Sequence, residues 1–581
     1  MKNTALFLYS FGGCKLYNTY FKERSTILIK ANRPYFKKIN FLGIIPGFYI
    51  LTIVIILLSF SVTGEASPKF LIFHLDAVSS QNFFQYMAEG DLPNLKAVFE
   101  EGHMIHHGLS LFPGGTEMAV PHLKEGLDNS TGWPGWSYYD RNKEKVVSKI
   151  KTFFHLFSYI PRRAKASFIY GIPGFDPFMF FPMLNIPELL ETYGVIEFYW
   201  FTTDSLGHEM GLRLYEASIR RFDRYFGHLV EKLNLDEINL IVYCDHGMSF
   251  GKFINADQGK EIERIVGDDL LLFVYPNLYL KDPDKKGEMA KNIVLESEID
   301  FTFYRENPHR VVGYSDQGKM IFEGKEEKIR YLFEGEDVFG YYISGYNGEW
   351  LSALEWLSLT KKSKFPAVPP NIYNFLLNKE AGDIIIVINP PKIPIFFLPC
   401  PVNHAGLTNT DLMMPILLRG AELEHLYDRE EMWLHNLYTS IPELSFENLA
   451  PAREKNSLSF WGGSLGDDNL GFELSLSPAY RWQVGFHYDN DIYRSWLEYD
   501  LYSSYLIRLW TGAGLQYNGQ DLNALVQARL QIDLGKVQLN YGGQFSQEGW
   551  ETNTKEIVYQ INDRLSLEWL IPNRFGMSFS W

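Results

Sequence analysis

The sequence is poor in cysteine and in basic residues. It contains only three cysteines in 581 residues, Cys14, Cys244 and Cys400, which supply neither a Cys-x-x-Cys metal motif nor a disulfide framework. Lys and Arg together number 54, against 70 for Asp and Glu, so the formal net charge is −16. Because an acidic chain repels the phosphate backbone of nucleic acids, no nucleic-acid partner is expected.

Long hydrophobic runs are also scarce, and the most extended one lies near the N-terminus. No charged residue occurs between Lys38 and Glu65, and the apolar stretch of residues 41–62 is long enough to cross a bilayer. The basic residues that precede it predict a cytoplasmic N-terminus and export of the chain that follows. We therefore expect residues 1–66 to be a basic region with a hydrophobic signal or anchor segment. Cleavage and retention both remain open.

Residues 67–450 show strand and helix patterns in alternation. Apolar runs at residues 69–75, 195–201 and 238–244 have the length and β-rich composition of buried strands, and helical periodicity separates them. Further strand and helix signals at residues 270–279, 286–296 and 383–389 continue the alternation. This pattern predicts an α/β fold, a sandwich with a mainly parallel sheet and with its site at the carboxyl ends of the strands.

Residues that can bind a metal or act as a nucleophile follow these strands. Asp76, Asp204 and Asp245 each come after a predicted strand, and carboxylates and imidazoles suit a divalent metal. Thr116 follows two glycines in a turn, where the backbone can bring it close to a ligand. The candidate site residues are Asp76, Thr116, Asp204, His208, Asp245, His246 and His404.

Five motifs in this order resemble the type I phosphodiesterase/nucleotide pyrophosphatase branch of the alkaline phosphatase superfamily. They are Leu-Asp76 with the later Leu-Pro-Asn-Leu, Phe-Pro-Gly-Gly-Thr116, Thr-Asp204-Ser-Leu-Gly-His208, Asp245-His246-Gly-Met and Asn-His404-Ala-Gly. The resemblance spans residues 69–420 and implies an alkaline-phosphatase-like three-layer sandwich. It also implies two divalent metal ions, usually Zn²⁺. One would be held by Asp204, His208 and His404, and the other by Asp76, Asp245, His246 and the Thr116 oxygen.

The resemblance further implies catalysis through Thr116, which would form a covalent phospho-threonine that water then hydrolyses. We expect a hydrolase of small phosphate esters that favours phosphodiesters or nucleotide pyrophosphates. The turn reads Gly-Gly-Thr116-Glu117, unlike the family's Thr-Phe-Pro-Asn order, and Asn129 lies farther along, so no oxyanion-stabilising Asn is assigned. A phosphomonoesterase of the same superfamily and a catalytically inactive, membrane-anchored binding module remain the alternatives.

Residues 451–581 have a different pattern. Apolar and polar residues alternate strictly, for example at residues 482–488 and 526–534, with Glu473, Arg529 and Asn540 on the polar face. Many short strands and frequent aromatic residues favour an all-β, antiparallel barrel of the outer-membrane type with about eight to ten strands. A soluble β-sandwich with one wet face is the alternative.

These features together predict a protein of the cell envelope. The catalytic domain would lie outside the cytoplasm, in the periplasm, with outer-membrane association through the barrel or an inner-membrane anchor through the N-terminal segment. The expected partners are a small phosphate-ester substrate and a membrane.

Overall fold

A computed structural model describes the chain after its N-terminal segment, with some gaps. The described residues are 68–147, 166–170, 183, 186–187, 190, 194–254, 257–394, 400–444, 456–462, 470–479, 482–489, 492–503, 507–534, 537–546, 549–562, 565–570 and 574–580. The predicted signal or anchor segment at residues 41–62 lies outside them. Among the described helices, none combines the length and the apolar character that crossing a bilayer requires.

The α/β domain consists of the following helices and strands. The first part contains β1 (Lys69–Leu75), α1 (Ser80–Glu89), α2 (Pro93–Phe99), β2 (His103–Leu109), α3 (Thr116–Glu125), β3 (Tyr138–Asp140), β4 (Lys145–Val147), β5 (Ala166–Tyr170), β6 (Val195–Trp200), α4 (Thr202–Met210), α5 (Leu212–Val230), β7 (Ile238–Cys244), β8 (Ser249–Phe250) and β9 (Lys252–Phe253). The second part contains α6 (Gln258–Val266), β10 (Leu270–Val274), β11 (Asn277–Leu280), α7 (Lys286–Glu296), β12 (Phe301–Asn307), β13 (Arg310–Ser315), β14 (Gly318–Lys325), β15 (Lys328–Gly335), α8 (Ala353–Thr360), α9 (Val368–Phe375), β16 (Ile384–Val387), β17 (Lys392–Ile393), β18 (Val402–Asn403), α10 (Asn409–Leu412), β19 (Met413–Arg419) and β20 (Glu431–Trp433).

The main sheet brings the three predicted strand ends together. Its strand order is β20-β2-β19-β7-β1-β6-β5. Strand β1 runs parallel to both β6 and β7, and β5 runs parallel to β6, whereas β19 is antiparallel to its neighbours. Because β7, β1 and β6 are adjacent and parallel, their carboxyl ends meet at one edge. The prediction of an α/β domain with a mainly parallel sheet is confirmed.

Both faces of this sheet are covered, which explains why its central strands are largely apolar. On β1, Leu71 and Phe73 pack in one hydrophobic cluster with residues of α1, α2 and α5, and Phe70 and Ile72 pack in another with Leu123 of α3. Successive side chains of a strand point to opposite faces, so a sheet covered twice needs apolar residues at every position. This arrangement leaves the strand ends as the place for polar groups.

The strands predicted at residues 270–279 and 383–389 do not continue the parallel sheet, as their alternation with helices had suggested. They belong to a second sheet of order β10-β11-β16-β12-β13-β14-β15, in which the recorded strand pairs are antiparallel. The turn between β14 and β15 is the two residues Glu326 and Glu327, with φ of 52° and 63°. A turn this short joins only antiparallel neighbours. Helix and strand periodicity predicts the elements, but it does not predict which sheet they join.

The C-terminal region is a closed antiparallel barrel of ten strands. They are β21 (Ser457–Gly462), β22 (Leu470–Ala479), β23 (Trp482–Asp489), β24 (Ile492–Ser503), β25 (Ile507–Tyr517), β26 (Leu522–Leu534), β27 (Val537–Ser546), β28 (Gly549–Asn562), β29 (Leu565–Leu570) and β30 (Arg574–Ser580). The pairing of β21 with β30 closes the barrel. The prediction of an antiparallel barrel with about eight to ten strands is therefore confirmed, and the alternative of a β-sandwich is wrong. The outer-membrane type of this barrel stays a prediction.

Candidate active site

The candidate ligands lie at the carboxyl edge of the main sheet. Asp76 follows β1 directly, Asp245 follows β7 directly, and α4 begins two residues after the end of β6. Asp204 and His208 are one turn apart on α4, so they lie on the same face of that helix. Gly207 lies against Met248, and a Cβ added at this glycine would be 2.2 Å from the Met248 sulfur. This close approach brings α4 against the loop that carries Asp245 and His246.

The first group of side chains is Asp204, His208 and His404. Asp204 Oδ1 lies 3.3 Å from His208 Nε2 and 3.8 Å from His404 Nε2. His404 Nδ1 is hydrogen-bonded to the carbonyl of Gly114. If Nδ1 donates in this bond, the lone pair on Nε2 is directed toward Asp204, which is how metal-binding imidazoles are usually oriented. Three donor atoms thus converge, although His404 is almost two hundred residues from His208 in the sequence.

The second group is Asp76, Asp245 and His246, which are fully buried. His246 Nε2 lies 3.3 Å from Asp76 Oδ1 and 3.6 Å from Asp245 Oδ2. Its Nδ1 is 3.0 Å from the Gly247 carbonyl, which can orient this ring in the same way as His404. The imidazole rings of His246 and His404 stack with centroids 4.2 Å apart, so the second group lies next to the first.

Thr116 is placed beside the second group. It is the first residue of α3, and its Oγ1 lies 3.3 Å from His246 Nε2. Gly114, two residues earlier, passes close to the His404 backbone, because a Cβ there would be 2.5 Å from the His404 carbonyl oxygen. The amino end of a helix favours a phosphate group through its backbone N–H groups and its dipole. Thr116 is therefore next to the place where a phosphate is best accommodated.

The electrostatics of the two groups fit divalent cations. Burial raises the pKa of Asp76, and the nearby carboxylates of Asp245 and Asp204 raise it further. Burial opposes ionisation of Asp204, but the imidazoles of His208, His404 and His246 outweigh it and lower the pKa of Asp204 to about 2. Burial, assisted by His246, lowers the pKa of His404 to about 3, which keeps this imidazole neutral, as a ligand must be.

Unsatisfied polar atoms give a second, independent test of that fit. Asp76 Oδ1, Asp204 Oδ1 and Asp245 Oδ2 are buried and accept no hydrogen bond of normal geometry from the described residues. Buried carboxylate oxygens without a partner are costly, whereas metal coordination satisfies them. In each group the three ligand atoms lie within 4.8 Å of one another. The residues present thus fit two metal ions, one in each group.

Two aromatic residues that support the second group were missed in the sequence. His74 is stacked between the rings of Tyr199 and Tyr243, and its Nε2 lies 3.2 Å from Asp245 Oδ1. The Tyr199 hydroxyl donates a hydrogen bond to Asp76 Oδ2. A signal for His74 was present, because it is a buried polar residue among the apolar residues of strand β1. Its partner could not be inferred, since Asp245 follows a different strand, β7.

Asn129 holds the turn that carries Thr116. Its side-chain amide donates to the Phe112 carbonyl at 2.9 Å and to the Asn371 carbonyl at 3.0 Å. The Phe112 N–H in turn donates to Asn371 Oδ1 at 2.7 Å. With its amide engaged in this way, Asn129 acts as a support for the turn, and Asn371 is a second support that the sequence did not indicate.

Comparison with known proteins defines the class of this enzyme. A family model described as type I phosphodiesterase/nucleotide pyrophosphatase matches residues 128–313. The matched segment contains Asp204, His208, Asp245 and His246, while the other three candidate residues lie outside it. The class is therefore that of a hydrolase. More particularly, residues 128–313 match the type I phosphodiesterase/nucleotide pyrophosphatase family, which is the resemblance that the motifs predicted.

Solved structures similar to this chain include ectonucleotide pyrophosphatase/phosphodiesterase 5 from mouse and human. The murine protein is 16% identical with a TM-score of 0.42, over 66% of this chain and 96% of the other. The human protein is 16% identical with a TM-score of 0.44 over the same shares. An inactive murine variant in complex with AMP is 15% identical with a TM-score of 0.43, again over these shares. No curated protein matches the sequence.

Proposed function

We propose that this protein hydrolyses phosphate esters by attack of Thr116 on phosphorus, with phosphodiesters or nucleotide pyrophosphates as favoured substrates. The observation that carries the proposal is the position of Thr116 Oγ1, at the start of α3 and 3.3 Å from a histidine of the second ligand group. A nucleophile at this position lies beside the second ligand group and at the amino end of a helix, where a phosphate group is favoured. The family match supports the same chemistry.

Two divalent ions, which we propose to be Zn²⁺, would be held by the two groups. Asp204, His208 and His404 would hold one ion, and Asp76, Asp245, His246 and the Thr116 oxygen would hold the other. When bound, such ions supply Lewis acidity, which lowers the pKa of oxygen nucleophiles and neutralises charge on the leaving oxygen. Carboxylates and imidazoles are the donor set that Zn²⁺ accepts at catalytic sites.

The chain's own part in the reaction has two steps. In the first, the bond from Thr116 Oγ1 to phosphorus forms and the bond from phosphorus to the leaving oxygen breaks. The Thr116 proton passes to solvent, and the leaving oxygen takes a proton from solvent. In the second step, water attacks phosphorus, the bond to Thr116 Oγ1 breaks, and Thr116 regains its proton. The side chains of Asn129 and Asn371 keep the turn in place throughout.

Hydrolysis of bis-p-nitrophenyl phosphate and p-nitrophenyl phosphate tests the proposal. We expect the diester to be hydrolysed with the higher kcat/KM, chelation to abolish the activity, and added Zn²⁺ to restore it. The Thr116→Ala variant should lose at least about 1000-fold in kcat, because it removes the nucleophile. Thr439→Ala is a matched control, since Thr439 is an exposed threonine whose hydroxyl donates to the Asn436 carbonyl.

The alternatives predict different results in the same assay. A higher kcat/KM for the monoester would identify a phosphomonoesterase. Absence of turnover of both substrates by the metal-loaded protein would favour an inactive binding module. Activity that survives both chelation and Thr116→Ala would contradict the mechanism. Trapping of a phosphorylated threonine by rapid acid quench, followed by mass spectrometry, would identify the covalent intermediate directly.

A further inference from the structure

The barrel has its apolar side chains on the outside. Along β26, Val526 is 55% exposed, whereas its neighbours Leu525 and Gln527 are buried in the lumen. The same alternation places Leu497 outside and Glu498 inside on β24. A barrel in water encloses its apolar face and exposes its polar face. This barrel has the opposite arrangement.

The exposed apolar residues surround the whole barrel. They occur on all of its strands except β22, whose outward residues are half-exposed. Representative exposed residues from these nine strands are Phe460, Val484, Leu497, Leu515, Val526, Phe545, Tyr559, Leu567 and Phe579. Lys555, opposite Tyr541, is the charged exception among outward side chains that the structure describes, and its long stem can carry the ammonium toward a polar layer. The apolar surface is therefore a belt and not a patch.

A belt of this size exceeds what a second copy of the chain would cover. Ten strands spaced about 4.8 Å apart close a circumference of roughly 50 Å, and a belt about 25 Å tall then presents on the order of 1,200 Å². A standard dimer interface covers about 800 Å² on each partner, and it covers only one side of a barrel. Only an apolar medium that surrounds the barrel on all sides would cover the whole belt.

Aromatic residues mark two levels of the outer surface. Near one end of the β23–β24 hairpin, Tyr488 and Tyr493 lie with ring centroids 5.0 Å apart, and Tyr517 adjoins Tyr493 at 6.4 Å. At the other end, Trp482 and Tyr499 lie 5.0 Å apart. Rings with an apolar body and a polar edge concentrate at the two interfaces of a bilayer. Their distribution here matches that pattern.

Many groups of the polar face are hydrogen-bonded to one another inside the lumen. Arg529 donates to Glu498 at 2.8 Å and to Gln483 at 2.7 Å, and Asn540 donates to Glu556 at 2.8 Å. Between such groups the lumen retains a cavity of about 240 Å³. Charged groups tolerate burial only when they are paired or hydrogen-bonded. The lumen is thus a polar core, and the apolar face is left for contact with the surroundings.

We propose that residues 457–580 span a lipid bilayer as a ten-stranded barrel and anchor the catalytic domain to the membrane. The bilayer would contact the belt, the aromatic residues would lie at its two interfaces, and the lumen would remain polar. This proposal goes beyond the proposed hydrolysis and does not depend on it, because it rests on the barrel alone.

The test uses the full chain, purified in detergent and transferred to phosphatidylcholine vesicles. We expect it to float with the vesicles in a density gradient and to resist extraction by alkaline carbonate. The Val526→Arg variant should lower the equilibrium constant for insertion by about 30-fold or more, because arginine is costly on the lipid face of a barrel. Ile343→Arg, at an 89% exposed position of the catalytic domain, is the matched control and should insert normally.

A second measurement protects the test against simple misfolding of Val526→Arg. Phosphatidylcholine with brominated acyl chains should quench the tryptophan fluorescence of the unaltered chain, and the double variant Trp482→Phe/Trp569→Phe should reduce that quenching, since both tryptophans face outward. A chain that stays in the aqueous fraction, or forms a defined oligomer without detergent, would overturn the proposal. Equal losses of insertion in both arginine variants, or absence of quenching, would overturn it as well.

Discussion

Buried charged groups are arranged differently in the catalytic domain and in the barrel. In the catalytic domain, Asp76, Asp204 and Asp245 converge on a small volume, and each keeps a buried oxygen without a normal hydrogen bond from the described residues. In the barrel, buried acids such as Glu498 and Glu556 have hydrogen-bonding partners on neighbouring strands. This difference distinguishes a binding site from a structural network. Carboxylate oxygens that converge without hydrogen bonds are stabilised by a bound cation, whereas acids that are hydrogen-bonded to neighbouring side chains need no ligand.

The largest effect is expected from a change in the convergent carboxylates. Asp245→Asn should lower kcat/KM for the diester by at least about 1000-fold, because a catalytic metal ion supplies several kcal/mol of transition-state stabilisation. Elemental analysis should show less bound metal in the same variant. Asp236→Asn, at an exposed carboxylate, is the control and should keep both activity and metal. Full metal content in Asp245→Asn would contradict the assignment of this residue as a ligand.

An intermediate effect is expected from breaking a pair inside the barrel. Arg529→Met leaves Glu498, which is 4% exposed, without its cationic partner and should lower the free energy of unfolding of the barrel by about 3 kcal/mol. Urea titration in detergent micelles measures this change, and the phosphodiesterase activity should stay the same.

Two further variants decide whether the pairing is responsible. Arg264→Met breaks an exposed ion pair with Glu296 and should lower the free energy of unfolding by less than about 1 kcal/mol. The double variant Arg529→Met/Glu498→Gln should recover much of the lost stability, because it no longer buries an unpaired charge. A loss in Arg529→Met that the double variant fails to reduce would show that packing, and not pairing, matters at this position.

The smallest effect is expected at His74, which acts on the site through Asp245. His74→Phe keeps the stacking between Tyr199 and Tyr243 but removes Nε2, which lies 3.2 Å from Asp245 Oδ1. Loss of such a supporting group typically costs 10–100-fold in metal affinity, so a loss of about that size is expected in competition with a chelator. His74→Gln, which restores a donor, should recover part of the affinity. Equal affinities in the Phe and Gln variants would reduce His74 to a packing role.

The sequence predicted local features well. Asp76, Asp204 and Asp245 were found because each follows an apolar strand, and the motifs around them named the family. The barrel was predicted from alternation, from the many short strands and from the frequent aromatic residues. The second sheet was missed, because β10, β11 and β16 carry the same local signals as strands of the first sheet. His74 was missed as well, since its importance depends on β7, which lies far away in the sequence.

The sequence by itself determined the elements, the seven candidate residues and the two faces of each barrel strand, because these depend on periodicity and on residue chemistry. Only the tertiary structure decided which side chains meet and which faces are enclosed. His404 joins Asp204 and His208 because the chain returns to the same edge of the sheet. The apolar face of the barrel lies outside because closure of the sheet enclosed the other one. A barrel that encloses its apolar face and a barrel that exposes it have the same alternation with a period of two, so the alternation by itself does not distinguish them.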